Sequence, residues 1–461
     1  MRLPFLNRER ELSRLARALA SRGTSLVAVY GRRRLGKSRL VQQGLADRTA
    51  VYYVGDDRDG PVQRASLARE VARLLPGFAQ VGYPGWEELL ERFWRDAPDG
   101  TVLALDEFPA LVQSSPELPS LLQKIVDRAG GRQRGLVLCG SSQRMMHGLV
   151  LDAKAPLYGR AQEILKIEPL HPHWLKQALH LRTAREVVEH FAVWGGVPRY
   201  WELVVGHRGL WEAVEDLLLD PLSVLQGEPE RLLLDDVSDV ARVASILAVI
   251  GQGMHRLSEI AGRLGLPATS LSRPLARLQD LGLIRRETPF GVPARDAKRS
   301  LYRLADPLLA FHYRFVEANR SWLATGQVTA VRKEIEAHWP AYLGHCWEQM
   351  VRESVGRRAY LGQQWQTGTR WWGKGLSGAN VELDVLAPST SDVGLVLVGE
   401  AKLAASAGEI PRLVAALKHR AADCPALADK RLVFALWILR PPASCRDKTV
   451  FGPEEVIANP R

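Results

Sequence analysis

Residues 25–41 read SLVAVYGRRRLGKSRLV: an apolar run, the eight residues Gly31 to Ser38, and the start of a helical pattern. The eight fit G-x-x-x-x-G-K-[ST], a spacing with a physical purpose. Backbone N–H groups must close around a triphosphate, which glycine permits. A flexible ammonium must reach the outer phosphates, and a hydroxyl must ligate Mg2+. Gly31, Arg34, Gly36, Lys37 and Ser38 are therefore candidate contacts for ATP and Mg2+, and a helix opening near Lys37 turns its positive end to the same anion.

At 461 residues the chain exceeds one average domain, and about three are expected. Hydrophobic residues at 46% and charged residues at 25% are the composition of folded globular domains. There is no run of 18 uncharged apolar residues, and the opening MRLPFLNRERELSRL lacks the apolar core of a signal peptide. A cytoplasmic protein without a membrane partner is expected. Cys139, Cys346, Cys424 and Cys445 have no C-x-x-C spacing, so neither a disulfide framework nor a zinc site is indicated. The net charge of +11 suits phosphate-rich partners. Only 12 of the 62 basic residues are lysines, so a lysine here marks a place where a compact ammonium is needed and a guanidinium will not serve. Lys37 and Lys402 are two such places.

Residues 7–20 form an amphipathic pattern with Leu12, Leu15 and Leu19 on one face. Strand-like and helix-like segments then alternate through 51–54, 65–75, 86–94 and 102–105, which predicts a parallel α/β sheet. The strand at 102–105 closes on two carboxylates. Asp106 is expected to hold Mg2+ through water and Glu107 to orient and polarise the attacking water. The strand at 135–139 ends in Gly140-Ser141-Ser142, at the carboxyl edge where ligands bind. Ser141 fits a sensor of the γ-phosphate or a helix N-cap.

Taken together, FLNRERELSRL, GRRRLGKS, LALDEFP, LCGSS and APLYGR (155–160) resemble the archaeal-type ATPases of the STAND-like, AAA+-related class, and WGGVPRY (194–200) continues the likeness. It covers about the first 200 residues. It implies a P-loop ASCE ATPase core with a helical lid, whose proline, Pro198, approaches the nucleotide. Arg160 becomes a candidate arginine finger or sensor, because charge on the transferred phosphoryl calls for such a group. Without the likeness, Gly-Gly-Val-Pro is a loop between helices and Arg160 an ordinary surface arginine.

Beyond a helical stretch at 171–235, residues 236–318 predict a winged helix. An apolar helix at 240–250 precedes LSEIAGRL, a turn at Gly265-Leu266-Pro267, and SLSRPLARLQDL; two strands of a wing follow at 282–287 and 301–304. Arg273, Arg277, Arg285 and Arg286 are the candidate phosphate contacts, and nothing identifies a base-reading residue. In the resembled class such domains also serve as packing units.

The last segment, 341–461 after a connecting helix at 319–340, places Glu348 in an apolar helix, Asp384 in VELDVL and Glu400 and Lys402 in VGLVLVGEAKL. Two carboxylates on adjacent strands can share a Mg2+, and a lysine two residues on lies on the same strand face. Metal and ammonium together can activate water and steady charge on a scissile phosphate. The pattern resembles the PD-(D/E)xK restriction-nuclease-like fold that accompanies archaeal-type ATPases. The likeness implies that Asp384 and Glu400 are metal ligands, Lys402 the catalytic lysine and Glu348 a supplementary acid, though no proline precedes Asp384.

The expectation is a multidomain α/β protein whose nucleotide state controls a DNA-binding winged helix and a metal-dependent nuclease domain. Its partners would be ATP and nucleic acid, DNA in preference to RNA, with a homo-oligomer left open. The alternative is a non-catalytic, nucleotide-gated regulator whose C-terminal fold only binds.

Overall fold

The apolar run of the opening stretch becomes strand β1 (Thr24–Tyr30), five of whose seven residues are buried, as a central parallel strand covered on both faces requires. The computed structural model describes every residue except 1–2, 129–131, 235, 238, 294–298, 444 and 460–461. With β2 (Ala50–Val54), β3 (Val102–Asp106), β4 (Arg134–Gly140) and β5 (Glu163–Lys166), β1 forms a parallel sheet in the order β2-β3-β4-β1-β5. Alternate side chains serve opposite faces. Leu26, Ala28, Leu103, Leu105, Leu136 and Leu138 pack with Leu67 and Val71 of α3 (Gly60–Ala72), Leu89 and Phe93 of α4 (Trp86–Asp96), Leu111 of α5 (Phe108–Ser114), and Leu122 of α6 (Leu118–Asp127). On the other face Val27, Val29 and Val137 are buried where α1 (Glu9–Leu19) and α2 (Lys37–Leu45) lie against β1 and β4. Residues 5–170, with 231–238, make this unit. Because all five strands run the same way, their carboxyl ends share one edge, where the Gly31–Ser38 loop, Asp106-Glu107 and Ser141 converge.

The second unit holds residues 1–4, 171–230 and 239–461. Helices Val240–Gly251, Leu257–Leu264 and Ser272–Asp280 precede the antiparallel pair β6 (Ile284–Glu287) and β7 (Leu301–Leu304), a winged-helix arrangement. The second sheet contains β8 (Thr369–Lys374), β9 (Asn380–Pro388), β10 (Leu395–Ala404), β11 (Arg431–Arg440) and β12 (Val450–Phe451) in the order β12-β11-β10-β9-β8. Its β8–β9–β10 part is antiparallel and its β10–β11–β12 part parallel. Helix Ile410–Ala422 covers one face, with Leu417 and Ala421 against Val396, Val398, Leu436 and Ile438. On the other face, Trp347 donates its indole N–H to the Trp437 carbonyl at 3.3 Å. Gly399 lies under that Trp437 ring, where a Cβ would sit 2.2 Å from it.

Two features differ from the sequence reading. Trp347 belongs to one unbroken helix, Val328–Val355, which carries Pro340 inside it and runs straight through the expected boundary between connector and final domain. The wing is also not free: the Phe290 amide donates to the Arg370 carbonyl at 2.9 Å, Arg299 to the Trp372 carbonyl at 3.0 Å, and the Phe290 ring packs against the C-terminal core.

Candidate active site

Gly31 adopts φ 149°, and a Cβ there would meet the Ile167 carbonyl oxygen at 2.5 Å, so only glycine lets the loop leave β1 at this point. Gly36, at φ 88°, opens α2, and Arg34 is left-handed at φ 68°. A non-glycine residue in that region is held by its surroundings at a cost of roughly 1–3 kcal/mol, and such strain gathers at functional sites. Lys37 is buried, and its Nζ donates across the loop to the Arg32 carbonyl at 3.0 Å. Burial pushes its ammonium below the ordinary value, with Arg33 in the same sense and Cys139, Glu107 and Asp106 opposing. A buried cation so placed gains from a polyanion.

Asp106, at the end of β3, is 2% exposed. The Tyr52 hydroxyl donates to one carboxylate oxygen and the Glu107 amide to the other at 2.9 Å. Burial pushes the carboxyl up, but hydrogen bonds with Cys139, Ser38, Tyr52 and the Glu107 amide outweigh it and hold the pKa below the ordinary value. The side chain is thus an anion at neutral pH, bonded to Ser38. That hydroxyl–carboxylate pair is a hard-oxygen donor set of the kind Mg2+ takes, so the residues fit the ion.

Glu107 is also left-handed, at φ 48°. Ser141 donates its hydroxyl to Glu107 Oε2 at 2.8 Å and its backbone N–H to the same oxygen at 3.4 Å. The capping role falls to Ser142, whose hydroxyl accepts the Met145 amide at 3.3 Å. Ser142 in turn donates to Asp236, at 2.9 Å. With β4 between β1 and β3, the Glu107 strand stands two strand spacings, about 10 Å, from the phosphate loop.

Arg160 is not brought to this edge. Its guanidinium is held two-fold by Asp127, at 2.7 and 2.8 Å, at the end of α6. The amide two residues on bonds to the Leu26 carbonyl, five residues before Gly31, which puts Arg160 near the amino edge of the sheet. It is no arginine finger for its own loop. Pro198 begins helix Pro198–Val204 in the second unit, where Trp201 donates to the Gly195 carbonyl at 2.8 Å and fixes the preceding turn.

The second unit gathers the other predicted acids. Opposite Thr369 to Trp371, a two-residue step on β8, β9 takes three, from Leu386 to Leu383. The extra residue makes a bulge at Asp384–Val385, and bulges re-aim side chains. Asp384 accepts the Ala401 amide at 3.1 Å on its side chain, and Arg352 donates to its carbonyl at 3.0 Å. Burial pushes its carboxyl up, Glu400 adds to this, and the Ala401 amide, Lys402 and Arg352 oppose it. Glu400, 3% exposed, is held on one oxygen by Lys402 at 2.6 Å and on the other by Arg420. Sequence reasoning missed Arg420, which reaches the strand from helix Ile410–Ala422, and it missed Tyr52 and Cys139 beside Asp106. Only strand order and register could have found them. Among the described residues, no group of three or more His, Cys, Asp and Glu is arranged to hold a metal.

Glu348, on the long helix, is pushed up to about 7, first by burial and then by Asp384, against Arg352 and Arg370. A folded-state pKa above the ordinary acid range means stability that is complete below about pH 4.5 and lost as pH rises through 7. Glu348→Gln is therefore expected to stabilise the protein by about 1–3 kcal/mol at pH 8 and by almost nothing at pH 4.5. Urea unfolding at the two pH values reads this, and a gain independent of pH would contradict the coupling.

The winged-helix arginines divide. Arg273 is exposed on helix Ser272–Asp280, and Arg277 is half-buried. Arg285 donates to Glu287 at 2.8 Å and to the Leu304 carbonyl at 3.0 Å, and Arg286 donates to Ser300 at 2.9 Å. The two wing arginines expected to meet phosphates are thus engaged inside the protein. Glu287 also pairs with Arg370 at 3.0 Å and Arg303 at 3.4 Å, tying the wing to β8.

Residues 5–204 match an ATPase domain predominantly from Archaea, and residues 240–288 an IclR helix-turn-helix domain. Residues 312–412 match a family described as archaeal and bacterial proteins of unknown function. An uncharacterized protein of Methanocaldococcus jannaschii is 29% identical over 392 residues, 84% of this chain and 85% of its own. Among solved structures, a Walker-type ATPase of Pyrococcus abyssi shares the fold, with a TM-score of 0.52 at 20% identity over 67% of this chain and 96% of that one. The ORC2 protein of Aeropyrum pernix is a fainter likeness, with a TM-score of 0.46 at 18% identity over 73% and 97%. The N-terminal unit is an ATPase domain, followed by a winged helix of IclR type. No helix among the described residues is long and apolar enough to cross a membrane.

Proposed function

We propose that this protein is an ATP-binding and -hydrolysing switch whose second unit carries a DNA-binding winged helix and a phosphodiester-cleaving site. The observation that carries the first part is the convergence of Lys37, Ser38, Asp106, Glu107 and Ser141 on one sheet edge, with Glu107 held by Ser141. Lys37 would leave the Arg32 carbonyl for the β- and γ-phosphates, and Gly31, Arg34 and Gly36 would shape the loop around them. Ser38 and, through water, Asp106 would hold Mg2+, which would supply positive charge against the outer phosphates. Glu107 orients the attacking water, and Ser141 fixes the carboxylate that does so. Lys37→Ala is expected to abolish ATP binding in titration calorimetry; undiminished affinity would refute the assignment.

For DNA, the exposed Arg273 and its neighbour Arg277 are the contacts this reading retains, with duplex in preference to RNA. In the C-terminal fold, the upward push of Asp384 on the Glu348 carboxyl and of Glu400 on the Asp384 carboxyl supports an acid cluster beside Lys402, as in restriction-nuclease-like sites. Against catalysis stands one observation, the occupation of both Glu400 oxygens by Lys402 and Arg420, which favours a domain that binds without cutting. Mn2+-dependent cleavage of plasmid DNA by wild type, lost in Asp384→Ala and Lys402→Ala, would establish the nuclease. Salt-sensitive DNA retention with no cleavage would establish the binding-only form.

A further inference from the structure

The amino edge of the ATPase sheet, away from the Gly31–Ser38 loop, carries a cavity of about 320 Å3 where the ends of α4 and α6 meet the first residue of β4. Its walls bring Arg95, Arg128, Arg132 and Arg134 around Trp94. With β4 seven residues long, this edge lies about 20 Å from Ser141, so it is separate from the nucleotide site.

The four arginines are not equivalent. Arg95 pairs with Asp96 at 2.9 Å and Arg128 with Glu91 at 2.8 Å, both on the exposed rim. Arg132 gives one N–H to the Arg95 carbonyl at 3.1 Å, and Arg134 lies over the Trp94 ring at 5.7 Å. Among the described residues neither Arg132 nor Arg134 has an ion-pair partner. Burial pushes the Arg134 guanidinium below its ordinary value, the charge of Arg132 adds to this, and Asp99 opposes it. Trp94 is 3% exposed, yet its indole N–H has no acceptor. A buried donor left unpaired is rare in folded proteins, and here it stands beside two guanidinium forks, the exposed Arg132 and the half-buried Arg134. An anion with several oxygens is the ligand class that can accept from an indole N–H and from arginine forks, whose geometry matches phosphate.

We propose that this cavity is a second phosphate site, holding a phosphate oxyanion between Arg132, Arg134 and the Trp94 N–H. The phosphate belongs either to a free phosphate compound or to a nucleic-acid backbone. The test uses the full chain in a Lys37→Ala background, so that the nucleotide loop does not take up the probe. Pyrophosphate and a duplex oligonucleotide are titrated separately. Arg132→Gln/Arg134→Gln is expected to weaken the bound probe by about tenfold or more, and Trp94→Phe, which keeps the ring and removes only the donor, to weaken it in the same direction. With the native Lys37 restored, the double variant should hydrolyse ATP at the wild-type rate, which verifies the fold. Weakened duplex binding, with a salt slope reduced by about 2, assigns the site to nucleic-acid backbone. Weakened pyrophosphate binding with duplex binding unchanged assigns it to a free phosphate compound. If neither probe loses affinity, the site does not exist.

Discussion

Glu107→Gln is expected to lower the turnover of ATP by about 10^2–10^4-fold while leaving ATP affinity within a few-fold of wild type, the range a general base contributes. The amide keeps the size of the side chain and can still accept the Ser141 hydroxyl, so the loss reports the missing carboxylate charge and not a collapsed site. Ser141→Ala then separates positioning from chemistry. It removes the 2.8 Å bond to Glu107 and nothing on Lys37 or Asp106, so turnover should fall by about tenfold to a hundredfold, with affinity again retained. Single-turnover hydrolysis and equilibrium nucleotide binding, measured on the same samples, decide the matter. A Glu107→Gln variant that turns over at the wild-type rate would move the water-orienting role elsewhere.

Glu287→Gln is expected to destabilise the second unit by about 3–5 kcal/mol at pH 7, because it strips the counter-charge from three largely buried arginines. Burial pushes the Glu287 carboxyl up, yet Arg285, Arg370 and Arg303 hold it at about 2. The folded-state pKa is therefore depressed. The stabilisation it brings is fully present above about pH 4.5 and fades as pH falls toward 2. The gap of roughly 2.5 units is worth about 3 kcal/mol, in keeping with the loss expected on removing the charge. Urea unfolding followed by tryptophan emission should show the deficit of the variant shrinking steadily between pH 5 and pH 3. A deficit of the same size across that range would mean that Glu287 acts through shape and not through charge.

The two acids show what sequence could and could not disclose. The place of Glu107 was legible because its neighbours are local: an apolar strand closing on Asp106-Glu107 behind a glycine-rich loop marks the sheet edge in a few residues. Glu287 was not, since its partners Arg303 and Arg370 come from β7 and β8, and Arg370 is 83 residues away in the chain. The same reason hid Tyr52, Cys139 and Arg420, each delivered to its carboxylate by strand register or by helix packing. Arg285 and Arg286 looked like phosphate contacts because a wing usually projects into solvent. Here the wing is docked on a sheet edge, a tertiary event without a local pattern. The expected boundary between 340 and 341 coincides with Pro340, inside the helix Val328–Val355. A proline normally ends a helix, but packing along both halves carries this one through.

That helix has a mechanical meaning. Its 28 residues span about 42 Å. Near one end Arg332 stacks on Trp211 at 4.4 Å, and further along the Tyr342 hydroxyl donates to the Ala192 carbonyl at 2.8 Å. Near the other end Trp347 is seated on Trp437. A rotation imposed where Arg332 sits is therefore delivered at the acid cluster as the swing of a lever, with Glu348 directly following Trp347, its last aromatic anchor. Dissection of the gene has to respect that lever: a fragment begun at residue 341 would start in mid-helix, with the Tyr342 hydroxyl cut off from its anchor.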